Sequence, residues 1–95
     1  RAFRPDPKID SALRYRFNLI DLSDKSQDVI VTSYGCYLEA NSNESLRASF
    51  NCKAESYVLI MYGRLKMKNA LGLGLLKCED GPEFALEFGN RFIGG

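Results

Sequence analysis

The chain has no histidine. That removes Ser-His and Cys-His nucleophile pairs together with the usual general base near neutral pH. It also removes the histidine-containing zinc sets, and Cys36, Cys52 and Cys78 form no CxxC pair that could replace them. No apolar run approaches the roughly 20 residues needed to cross a bilayer. No lysine-bearing glycine loop follows a strand into a helix, so a phosphate cradle is not indicated. The net charge of +1 gives no general attraction to nucleic acid or to a membrane. An enzyme in its own right is therefore disfavoured, and neither a metal nor a bound cofactor is expected. The cysteines read as small buried hydrophobes in a reducing cytoplasm; a disulfide would instead point to a secreted protein.

What is present is one domain's worth of chain, 95 residues, opening at Arg1 in the manner of a processed or excised piece. Residues 1–10 carry two prolines and no periodicity, and read as a flexible lead-in or interdomain linker ahead of a domain spanning 11–95. Leu13, Tyr15, Phe17 and Leu19 alternate with polar residues, which predicts a half-buried strand. A turn at Ser23 to Ser26 leads to a second strand over 28–40, with a bulge or bend at Gly35, completing a hairpin. The segment from Asn41 to Ser56 fits two periods. As a strand it places Leu46, Ala48, Phe50 and Cys52 on one face. As a helix it aligns Leu46, Phe50, Ala54 and Tyr57, with Asn41 as cap and Glu44 completing a capping box. The helix is the preferred reading. Extended runs over 57–68, 70–78 and 83–88 follow, and the chain ends on Gly94 and Gly95. The expected class is α+β in the order β-β-α-β-β-β; if the ambiguous segment is a strand, an all-β sandwich or small barrel results.

The run Val58 to Leu65, the Asp80-Gly81 turn, the Phe84-Leu86-Phe88 alternation and the closing diglycine together resemble the ubiquitin-like β-grasp family. The closing segment is similar to that of its sulfur-carrier relatives. The resemblance implies a modifier with a tail over 89–95, in which the Gly95 carboxylate is the reacting group and Gly94 and Arg91 help seat it. An E1-like activating enzyme would adenylate that carboxylate, consuming its own ATP. An E2-like conjugating enzyme would carry the thioester, and a target amine would accept an isopeptide bond. Ile60 would contribute to an apolar patch for partner binding.

The alternative from the residues alone is a non-enzymatic binding module. Arg14 and Arg16, with Arg64, Lys66 and Lys68, fall on alternate positions of two expected strands. Adjacent strands would merge them into a basic stripe for nucleic acid or an acidic protein; a small secreted β-sandwich effector is the further alternative, which a disulfide would support. The acids at Glu79, Asp80, Glu83 and Glu87 read as solvated surface groups.

Overall fold

The computed structural model describes residues 12–23, 25–32 and 35–90. Within them the class is α+β. The elements are β1 (Leu13–Leu19), β2 (Lys25–Val31), β3 (Cys36–Glu39), β4 (Ala48–Cys52), α1 (Ala54–Met61), α2 (Met67–Gly72), β5 (Leu76–Cys78) and α3 (Pro82–Gly89). They build one five-stranded mixed sheet in the order β3-β2-β1-β4-β5, in which only β1 and β4 pair in parallel.

The β1–β2 hairpin is the one expected, with Tyr15 opposite Val29 and Phe17 opposite Gln27. The second expected strand is divided into β2 and β3, and between them the Thr32 N–H donates to the Gly35 carbonyl at 2.8 Å. Beyond residue 40 the expected element order is replaced. The ambiguous segment forms strand β4, whose Ala48, Phe50 and Cys52 are all buried on one face, as the period-two reading has it. The helix instead begins at Ala54, whose N–H donates to the Asp21 carboxylate at 2.8 Å.

The three downstream runs were expected to be extended, and helices occupy most of them. The reason lies in two glycines. After α1, Gly63 takes φ 74°; its N–H donates to the Ile60 carbonyl and that of Arg64 to Leu59. After α2, Gly74 takes φ 75° with the equivalent bonds to Leu71 and Ala70. This is the double hydrogen bond that ends a helix with a left-handed residue, which glycine adopts without a Cβ penalty. Pro82 opens α3 in the first turn, where its missing N–H costs nothing. Alternation of Phe84, Leu86 and Phe88 is thus a helical feature: Ala85 and Phe88 face inward, three residues apart, and Leu86 faces out.

The inner sheet face is aromatic. Tyr15, Phe17 and Phe50 are fully buried and meet Phe88 of α3 at centroid distances of 5.0–5.9 Å, while Phe17 meets Tyr57 of α1 at 5.1 Å. On the outer face, Arg14 and Arg16 converge on Asp28, which is fully buried. Arg14 also pairs with Glu39. The chain crossing from β3 to β4 over residues 40–47 is tied to this cluster: Arg16 donates to the Ser42 carbonyl at 2.8 Å and the Arg47 N–H to that of Arg14 at 2.6 Å. Burial alone pushes the Asp28 carboxyl up, but hydrogen bonds from Arg16 and Arg14 outweigh it and hold the group below its ordinary range.

A folded pKa below the unfolded one supplies stability above the unfolded value and loses it as pH falls through the folded value. Stability should therefore drop below about pH 4. Asp28→Asn should cost about 2–3 kcal/mol at neutral pH, because two arginines lose their anion, and should flatten that acid limb. Urea titrations across pH check both outcomes.

Candidate functional site

The three helices are short, and each was needed to cover part of one aromatic sheet face. They bury that face but leave a gap among themselves. Between the α1–α2 turn and α3 lies a hollow of about 250 Å3, lined by Ile60, Gly63, Leu65, Met67, Leu86 and Gly89, with Lys66, Lys68 and Asn90 at its edge. That is slightly under the roughly 300–1,000 Å3 usual for small-ligand sites. Gly63 turns the chain out of α1 and so sets the position of Leu65 and Lys66. Gly89 permits the close approach of α3 to α2, since a Cβ there would stand 3.1 Å from that of Met67. A larger hollow of about 350 Å3 beside the β1–β2 turn has its wall from a single hairpin, much of it polar through Asn18, Ser23, Lys25 and Ser26.

Among the described residues no cluster of three metal-ligating side chains occurs. The Cys52 thiol is pushed up to about 11 by burial and by Asp21, which leaves it protonated and a poor nucleophile. Tyr57 has a buried hydroxyl with no hydrogen-bond partner among the described residues, and its pKa is pushed up to about 12 by burial and by the nearby Cys52 and Cys36.

The residues singled out from sequence are redistributed. Ile60 is 2% exposed, so it forms the floor of the hollow and not an outer patch. Arg14 and Arg16 lie on the sheet's outer face and are neutralised by Asp28 and Glu39, so they do not merge with Arg64, Lys66 and Lys68. The basic stripe is therefore absent as conceived, because the segment carrying the second half is a helix and turn. Arg64, Lys66 and Lys68 remain exposed beside the hollow. Glu87 is not a solvated acid: it accepts from the Tyr15 hydroxyl at 2.7 Å and from two nitrogens of Arg47 at 3.0 and 2.7 Å, fastening α3 to the sheet. Asp80 accepts from the Ser49 N–H at 2.9 Å. Arg91, Gly94 and Gly95 lie outside the described residues. Leu65, Met67, Leu86 and Gly89 were not anticipated; the signal that could have found them is the pair of apolar-then-glycine helix endings at Gly63 and Gly74.

No family model and no curated protein matches the sequence. Among solved structures the chain is similar in fold to a double mutant of the sec-alkyl sulfatase PisA1, at 13% identity and a TM-score of 0.68, over 99% of this chain. It is likewise similar to the stereoselective inverting sec-alkylsulfatase Pisa1 from Pseudomonas sp., at 13% identity and a TM-score of 0.64, over 88% of this chain. The chain spans about 15% and 13% of those proteins, so the likeness concerns the fold of one segment.

The unpartnered hydroxyl gives a direct check on the packing around α1. Tyr57→Phe should leave the fold intact and raise stability by about 1 kcal/mol in thermal or urea unfolding, since a buried donor without an acceptor is a cost.

Proposed function

We propose that the chain is a non-enzymatic binding module that takes a small amphipathic ligand, an alkyl chain bearing an anionic head group, into the hollow between the α1–α2 turn and α3. One observation carries this reading. Ile60, Leu65, Met67 and Leu86 form an apolar wall, and Lys66 and Lys68 stand at its edge. Apolar walls supply the favourable burial of the alkyl part, at about 25 cal/mol per Å2 removed from water. The ammonium groups supply orientation and select an anion. Leu86 is 43% exposed, so an arriving chain removes an apolar side chain from water that the fold leaves there. The alkylsulfatases of similar fold are named for molecules of this build, which supports the choice of a probe and nothing finer.

A β-grasp modifier conjugated through Gly95 is the alternative proposal. Its support is the α+β class and the sequence of the tail. Incubation with a candidate activating enzyme and ATP, read by intact mass, tests it: an adenylate or thioester that disappears on deletion of Gly95 would establish it.

For the binding module, calorimetric titration with decyl sulfate below its micelle concentration should give saturable binding at one site, with a Kd of about 10–500 μM. Leu86→Asp should weaken it at least about tenfold, by placing a charge against the alkyl chain. Exchanging Lys66 and Lys68 for Gln should weaken decyl sulfate several-fold but leave decanol unchanged. Equal affinities in all variants would sink the assignment.

A further inference from the structure

Helix α1 is apolar on both sides. Ile60 and Ser56 face inward and are buried, yet Val58, Leu59 and Tyr62, which share the opposite face at three- and four-residue spacing, are 45%, 36% and 73% exposed. A helix that is apolar all round is ordinarily covered on every side. Here nothing within the described residues covers the outer one.

The charges beside that face are of one kind. Lys53 precedes α1, and Arg64, Lys66 and Lys68 follow it, all exposed; Glu55 is the single carboxylate between residues 53 and 69. Arg64 is held close to the apolar trio, because its N–H donates to the Leu59 carbonyl at 2.8 Å. None of these four cations forms an ion pair among the described residues, whereas Arg14, Arg16 and Arg47 are each paired with a carboxylate. A net charge of +1 thus conceals an uneven distribution: the three arginines on and beside the sheet are paired, Lys25 and Lys77 stand without an ion pair on β2 and β5, and the other four such cations of the described residues gather around α1.

We infer that the outer face of α1 docks on an anionic lipid bilayer, with Val58, Leu59 and Tyr62 entering the headgroup boundary and Arg64, Lys66 and Lys68 meeting the lipid phosphates. Exposed apolar residues flanked by unpaired cations are the composition of a helix that lies in a membrane interface. A nucleic-acid partner is less suited, because two of the three outer side chains are aliphatic and offer no stacking surface. Lys66 and Lys68 also line the hollow, so the docking surface adjoins it. The docking surface does not depend on the ligand reading, and the two are separable by variant.

Sedimentation with vesicles of phosphatidylglycerol and phosphatidylcholine tests the inference. The chain should pellet with these and not with phosphatidylcholine alone, and raising salt from about 0.1 M to 1 M should release most of it. The triple exchange Val58→Ser, Leu59→Ser and Tyr62→Ser, all at exposed positions, should cut vesicle binding at least about tenfold and leave decyl sulfate binding unchanged. Leu86→Asp should do the reverse. Absence of pelleting with anionic vesicles, or retention in the triple variant, would overturn the inference. So would self-association in ultracentrifugation that the triple variant abolishes, since a second copy would then be the occupant.

Discussion

Everything on the helical side of this fold follows from one constraint: a mixed sheet presents Tyr15, Phe17 and Phe50 on a single face, and that face must leave water. Three helices of six to eight residues do the covering, too short to be stable alone and dependent on this contact. Phe88 is the centre of the arrangement, touching all three sheet aromatics edge-on or tilted. Short helices need frequent turns, and the turns at Gly63 and Gly74 place chain where a longer helix would have packed. The hollow beside Gly63 is a consequence of that economy.

The opposite face solves a different problem. Parallel pairing of β1 with β4 obliges the chain to cross from the sheet edge to its middle, and the crossing runs over polar residues. The Arg14–Asp28–Arg16 cluster lies beneath it, fully buried at its anion, with both arginines also holding the crossing itself through Ser42 and Glu44. A buried carboxylate with two guanidinium partners is weak evidence for net stability but a strong discriminator of register, since a one-residue slip would leave charges unpaired. With Arg14 and Arg16 engaged there, four of the six cations that have no ion pair among the described residues, Lys53, Arg64, Lys66 and Lys68, lie around α1.

Part of this was legible in the residues. Alternation from Leu13 to Leu19 specified β1 because nothing in that run competes with a period of two. Phe50 and Cys52 are equally consistent with the strand that forms, but Asn41 and Glu44 mimic a capping box, so local helix chemistry competes with the tertiary demand for a strand beside β1. Downstream, Tyr57 to Met61 is apolar throughout, and a continuous apolar run carries no period with which to separate helix from strand. The glycines at 63 and 74 were the available arbiters. Read as helix endings they locate α1, α2 and the hollow; read as gaps in a strand they hide all three. Glu87 reads as a solvated acid because its partner Arg47 is distant in sequence, and no local pattern announces such a pair.

Entry of an amphipathic molecule into the hollow between the α1–α2 turn and α3 is what decides the functional assignment. Amide chemical-shift mapping of the isotope-labelled chain with decyl sulfate reads that most directly, since Gly63 and Gly89 flank the hollow and glycine amides resolve well from others. The account predicts saturable shifts confined to residues 60–68 and 86–90, with Arg14, Asp28 and Arg16 unmoved. Shifts centred on the outer sheet face, or none at 63 and 89, would contradict it.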